Sequence, residues 1–166
     1  MHVGIRQATA QDADWIADIW NGVIADTLAT FTTVPKTGAE VAELIATQPV
    51  FVAPDQAGFA TYGPFRGGPG YAATAEHTVY VAPDRCGQGH GAHLMAALLD
   101  HAQATGLRVM VAAISGANPG AVRFHNRLGF AQVGHMPQVG RKAGQWLDLI
   151  LMQKRINPPD SSDAQG

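Results

Sequence analysis

The run Gly87-Gln88-Gly89-His90-Gly91-Ala92 places glycine at alternate positions between a β-type segment, Val79-Tyr80-Val81, and a helical one, Ala92 to Leu99. Such glycines let a backbone approach a ligand closely and take up positive φ, and the helix that follows aims unpaired N–H groups and a positive dipole end at the same spot. The turn therefore reads as a cradle for an anion, a pyrophosphate in particular. A P-loop would continue with Gly-Lys-Ser/Thr to hold a terminal phosphate and magnesium, and no such residues follow Gly91. Gly87, Gly89 and Ala92 also fit the dinucleotide fingerprint G-x-G-x-x-G/A, which calls for an acid about 20 residues later on the next strand. Arg108 to Ser115 carries no carboxylate. His90, His93 and His101 share one helix, yet no cysteine pair or acidic partner completes a zinc set, so no metal site is expected.

A second segment, Asn118-Pro119-Gly120-Ala121-Val122-Arg123-Phe124-His125-Asn126-Arg127-Leu128-Gly129-Phe130, follows the cradle. Together the two resemble the paired signatures of the GNAT superfamily of acetyl-coenzyme A dependent N-acetyltransferases. Further segments resemble its phosphinothricin and methionine-sulfoximine (sulfone) acetyltransferase branch: Ile19-Trp20-Asn21, Gly58 to Arg66, Ala75 to Val81, His135 to Gly140 and Trp146-Leu147-Asp148. The resemblance spans nearly the whole chain apart from its tail. It implies an α/β (α+β) fold with a mixed, mostly antiparallel central sheet, helices on both faces, and a splayed strand pair that binds acetyl-CoA. It also implies a homodimer.

Acetyl transfer from a thioester to an amine needs a pocket for the carrier, a route for the amine proton and stabilisation of the transient oxyanion. An ammonium is not nucleophilic, so a base must accept its proton. The resemblance puts Glu76 in that role, where partial burial would raise its pKa toward the useful range; the plain alternative is a surface carboxylate beside His77. By the same analogy His125 would return a proton to the departing thiolate, with packing as its alternative. Backbone groups of Val79, Tyr80 and Val81 would pair with the amides of the pantetheine arm in the manner of an added strand. Asn118 would meet a pantetheine amide while capping its helix. Arg66, Glu76, His77 and Thr78 would hold the acceptor, Arg66 through a bidentate fork to a carboxylate.

Two departures qualify the match. Cys86 stands where the superfamily usually has arginine or glutamine, which leaves Arg85 to supply charge, and Ala72 occupies a place where an arginine is common. Cys86 as a nucleophile is a further reading, although a thioester needs no covalent enzyme intermediate. The expected function is acetylation of a small amino acid or analogue by direct attack. The alternatives are a GNAT enzyme acting on protein N-termini, a dinucleotide oxidoreductase, and a non-catalytic acyl-CoA sensor.

Composition bounds the rest. The 166 residues, 46% of them hydrophobic, suffice for one core and leave no room for a second domain. A net charge of −2 argues against a nucleic-acid or membrane-surface partner. A single cysteine excludes an internal disulfide, no leader-like segment or apolar span is visible, and the cytoplasm is the expected compartment.

The positioning elements follow from periodicity. A strand is expected at His2 to Arg6, a helix from Asp12 to about Thr27 with Trp15, Ile16, Ile19, Trp20 and Val23 on one side, and a second helix introduced by Lys36 and Thr37 and stopped by Pro49. Val50 to Ala53 and Gly58 to Tyr62 form a hairpin, and Gly63 to Gly70 a loop beside the site. The helix after the cradle presents Leu94, Met95, Leu98, Leu99 and Ala102, stops at Gly106, and leads to the strand Val109 to Ile114, which makes a βαβ unit. Asn118 and Gly129 bound the next helix, ahead of strands Phe130 to Val133 and Gln145 to about Lys154 joined through a Gly140 to Gly144 turn. Residues 1–156 form the domain, and 157–166 are expected to be a disordered tail.

Overall fold

The computed structural model describes residues 3–157, so nearly all of the expected C-terminal tail lies outside the described residues. The first strand, β1 (Arg6–Gln7), is shorter than expected and lies mostly beyond the predicted window, because residues 3 and 4 turn and Gly4 has φ 72°. A 3-10 turn, Ala10–Asp12, precedes α1 (Ala13–Asp26). Its Asp12 carboxylate accepts from Thr9 N at 2.8 Å, Trp15 Nε1 at 3.1 Å and Arg6 at 2.8 and 2.9 Å, which fixes where the helix begins. α2 (Gly38–Thr47) opens on a reciprocal Thr37–Glu40 capping box.

The hairpin forms as expected from β2 (Val50–Val52) and β3 (Gly58–Pro64). β3 runs two residues further than the sequence suggested: Gly63 and Pro64 pair with Glu76 and Ala75 of β4 (Thr74–Val81), and the loop starts only at Phe65. The βαβ unit is β4, α3 (His90–Ala104) and β5 (Val109–Ser115). After α4 (Pro119–Arg127), β6 (Ala131–Lys142) is much longer than Phe130 to Val133, and its turn into β7 (Gln145–Arg155) is only Ala143 and Gly144. Two register shifts, at Gln132/Gly134 and Met136/Gly140, carry β6 past Pro137 and so hide its strand periodicity.

The seven strands form one sheet in the order β1-β2-β3-β4-β5-β7-β6, antiparallel except for β4 against β5. Alternation along β3 assigns its two faces. Phe59 joins Ile16, Ala17 and Val41 of α1 and α2 in one buried cluster, whereas Ala60 and Tyr62 join Leu94, Met95, Leu98 and Ala102 of α3 in the other. Val122 and Phe124 of α4 and its C-cap Leu128 pack on that second cluster. Helices thus cover both faces.

The parallel pair is short. β4 and β5 pair only from Thr74↔Val109 to Glu76↔Val111, after which residues 77–81 and 112–115 diverge. Glu76 sits at the last shared rung, in the crotch of the fork.

Candidate active site

Because side chains alternate along β4, Glu76, Thr78 and Tyr80 face the α1/α2 side, while His77, Val79 and Val81 face α3 and α4. The fork opens into a cavity of about 390 Å³ lined by residues 77–81 of one prong, Ala112, Ala113 and Ile114 of the other, the α4 cap Asn118 with Ala121 and His125 of α4, and Val23, Thr27 and Ala29 at the end of α1 and just after it. Along β4 it runs into a second cavity of about 560 Å³ beneath the glycine turn, and the two share Val81 and Cys86.

The turn has the conformation its residues require. Gly87 and Gly89 have φ 77° and 85°, a region costly for any residue with a Cβ. No side chain caps α3, so its first N–H groups face the cavity. Gly91 is close under Phe124, where an added Cβ would lie 3.3 Å from the ring. Gly87, Gly89, His90, Gly91 and Ala92 line the cavity together with Arg85 and Arg127, whose guanidinium groups supply positive charge that Cys86 does not. Gln88 is part of the turn but does not line this cavity. Arg127 was not singled out from the sequence, where it reads as one more arginine on an amphipathic helix.

The chain edge along residues 77–81, which β5 has left, is free for a ligand's amides, and Val79, Tyr80 and Val81 line the space. Asn118 caps α4 by accepting from Ala121 N at 3.2 Å while lining the same cavity, so its two expected roles coexist. The free strand edge, the helix N-terminus with glycine φ values and the two arginines suit an extended carrier ending in a diphosphate. The span from Glu76 to Val81 is about 16 Å at a strand's rise per residue, a length that only a long, flexible arm bridges.

On the α1/α2 side a third cavity, about 320 Å³, brings Glu76 and Thr78 together with Tyr80, Ala113, Ser115, Leu149 and a wall formed by Ala29, Thr30, Phe31 and Thr32. Among the described residues Glu76 is the one carboxylate that lines it, and burial alone raises its pKa above the ordinary value. The wall was not legible in the sequence, because it has no helix or strand and no motif marks it.

Of the other two expected acceptor contacts, His77 borders this cavity by its place on β4, whereas Arg66 does not. The His77 ring is turned to the opposite face from Glu76, against Phe130 and His125, since neighbouring residues of a strand point oppositely. Arg66 stacks over Phe65 and lines a separate cavity with Tyr62, Tyr71 and Leu107, so within one chain it does not share Glu76's cavity.

His77 and His125 form a buried pair. Their Nε2 atoms are 2.9 Å apart, His77 Nδ1 is 3.1 Å from Val111 O, and His125 Nδ1 is 2.7 Å from Ala121 O. Burial and the neighbouring ring push the His77 pKa down to about 3, and burial lowers that of His125, so the resting pair is neutral. Two neutral rings hold two N–H protons for three contacts, and the carbonyls only accept, so one contact lacks its proton. Neither nitrogen of His125 is left free to point into the cleft. Among the described residues no group of three or more His, Cys, Asp or Glu could hold a metal ion.

The profile of the Acetyltransferase (GNAT) family matches residues 24–130. The chain is 40% identical over 171 aligned residues to an L-methionine sulfoximine/L-methionine sulfone acetyltransferase of Pseudomonas aeruginosa, covering 98% of this chain and 99% of that one. It is 37% identical to an L-amino acid N-acyltransferase of Escherichia coli, covering 99% and 100%. The crystal structure of a phosphinothricin acetyltransferase from Sinorhizobium meliloti in complex with acetyl-CoA superposes with a TM-score of 0.88 at 31% identity, over 97% of this chain and 95% of that one.

Proposed function

The chain belongs to the GNAT acetyltransferase family and is an acetyl-CoA dependent N-acetyltransferase, and from that premise we propose that its acceptor is the amine of a small amino acid or analogue of the methionine sulfone, methionine sulfoximine or phosphinothricin type. The observation that carries this reading is the fork. A cofactor groove lies along its prongs, and a small cavity holding one basic carboxylate opens at its crotch.

Acetyl-CoA, held by the edge of Val79 to Val81 and by the turn from Gly87 to Ala92 with Arg85 and Arg127, supplies an acetyl group already activated as a thioester. Glu76 accepts a proton from the acceptor ammonium, directly or through water, and burial raises its pKa, which makes it a better acceptor. Thr78 and the wall from Ala29 to Thr32 enclose the amine. His125, which lines the cofactor cavity, returns a proton to the thiolate; with both ring nitrogens engaged and its pKa lowered, it must first leave its contact with His77 or with Ala121 O and take up a proton.

For the acceptor's carboxylate we keep Arg66, which within one chain lines a separate cavity and so would have to act in an assembly. Val133, Met136, Val139 and Trp146, all exposed on the β6–β7 hairpin at a sheet edge, support a homodimeric assembly, and a Trp146→Glu variant that sediments as a monomer would locate the contact there. No helix among the described residues is long and apolar enough to cross a membrane. With the net charge of −2 this supports a small-molecule partner and a cytoplasmic setting.

The test is thiol release from acetyl-CoA with a panel of methionine sulfone, methionine sulfoximine, phosphinothricin and a short peptide. Turnover with the free amino-acid analogues supports the reading. Turnover with the peptide alone would replace it with action on protein N-termini.

A further inference from the structure

The acceptor wall belongs to the site already described, but what holds it in place does not. Residues 27–37 contain no helix or strand, so their backbone has no ladder of its own. Local bonds are few: Ala29 N donates to Thr27 Oγ1 at 3.1 Å and Val34 N to Thr32 Oγ1 at 3.1 Å. At the far end Asn21 grips Lys36 through both its donor and its acceptor, at 2.8 and 2.7 Å. The part that faces Glu76 is anchored from a distant strand instead.

Lys142, near the end of β6, is only 8% exposed. Its Nζ donates to Thr27 O at 2.8 Å and to Thr30 O at 2.9 Å, and no carboxylate of the described residues pairs with it. Thr27 is the C-cap of α1, so the ammonium sits where the carbonyls of a helix end are unsatisfied and the dipole favours a cation. Two residues earlier, Gly140 passes directly under the Phe31 ring, and a Cβ there would collide with it. Thr30 and Tyr80 of the splayed strand line the same cavity. The wall that faces β4 across the cavity is therefore held by a buried cation and a bare backbone from β6.

We infer that Lys142 and Gly140 are specificity-determining positioning residues for the acceptor, clamping residues 27–32 over Glu76 so that the cavity keeps its size and shape. This rests on the reading that the acceptor occupies the Glu76 cavity. Removing the ammonium leaves Thr27 O and Thr30 O without their donor and lets the wall withdraw. Thr27 and Ala29 border the inner end of the cofactor groove, but its glycine-turn end, where Arg85 and Arg127 lie, shares no residue with the wall and stays in place, so most of the carrier's contacts are kept.

The experiment compares Lys142→Met, Lys142→Arg and Gly140→Ala with the natural protein, using circular dichroism to verify folding. Steady-state kinetics with methionine sulfone should show the amine KM raised about tenfold in Lys142→Met and Gly140→Ala, with KM and Kd for acetyl-CoA within about twofold. Lys142→Arg, which keeps a cation with several donors, should recover part of the loss. Amide hydrogen exchange should speed up at residues 28–34 in Lys142→Met and leave 87–92 unchanged. An unaltered amine KM, parallel changes in the amine and acetyl-CoA constants, or unchanged exchange at 28–34 overturns the inference. If the natural protein binds acetyl-CoA but acetylates none of the panel, the acceptor reading falls, and the exchange measurement alone decides whether the clamp exists.

Discussion

Replacing Glu76 by glutamine keeps the size and most of the hydrogen bonding of the side chain while removing its ability to accept a proton. A positioned general base contributes about 10²- to 10⁴-fold, or about 3–5 kcal/mol of transition-state free energy. We expect kcat/KM for the amine to fall within that range. The Kd for acetyl-CoA should hold, because the free edge of residues 77–81 and the glycine turn are untouched. Stability should move the other way. Burial raises the Glu76 pKa, so the folded protein holds this proton more tightly than the unfolded chain. What stability the group contributes is present below the unfolded carboxyl pKa and is lost as pH rises through the folded one. At neutral pH the ionised carboxylate works against folding, and glutamine relieves that. Glu76→Gln should accordingly melt at or above the temperature of the natural protein at pH 7, the difference closing toward about pH 4. The acid limb of the kcat/KM profile should flatten. Thiol release, calorimetric titration of acetyl-CoA and thermal melts across pH read all three. Retention of more than about a tenth of the activity, a parallel loss of acetyl-CoA affinity, or a lower melting temperature would refute the assignment.

Other consequences are equally direct. Gly58→Ala puts a Cβ 2.6 Å from Tyr80 O and 3.1 Å from Val81 Cα, so the prong of the fork must move; chemical denaturation should show a loss of about 1–3 kcal/mol, and titration a weaker acetyl-CoA Kd. His77→Phe dismantles the histidine pair, so kcat should drop about tenfold with the amine KM little changed, and an unchanged kcat would reduce the pair to packing. The same variant bears on acid stability. Both histidines are held neutral, so the unfolded chain takes up protons below about pH 6.5 and stability falls with pH there, a loss that His77→Phe should lessen in melts between about pH 5 and 7. Lys142→Met should widen the range of amines accepted, which the same thiol assay measures on bulkier substrates.

How much of this could be read beforehand depended on how local the cause was. The glycine turn, the Asn118 cap and the α3 stripe are properties of a few consecutive residues, and each appears where its residues stand. β6 was cut short because its two register shifts break the alternation from which a strand is recognised. β3 was cut short because Gly63 and Pro64 signal a turn, although pairing with Glu76 and Ala75 keeps them extended. Within the site, Glu76 and Thr78 were expected together and share a cavity. His77 borders the same cavity, but the two-residue period of a strand sends its ring through to α4, which a grouping by sequence does not reveal. The wall from Ala29 to Thr32 and its anchors 110 or so residues away are long-range contacts, and nothing in either segment announces the other.

The forked pair also says something about how the domain coheres. One block of sheet runs from β1 to β4 and another from β5 to β6, each antiparallel throughout, and the ladder between them has three residue pairs, extended by Arg108 N donating to Ala73 O just before it. When the carrier's amides fill the gap, they act as substitute rungs and turn a seam into a continuous ladder. Saturating acetyl-CoA should therefore strengthen the weakest joint of the molecule, and protection from amide exchange should rise along both prongs together.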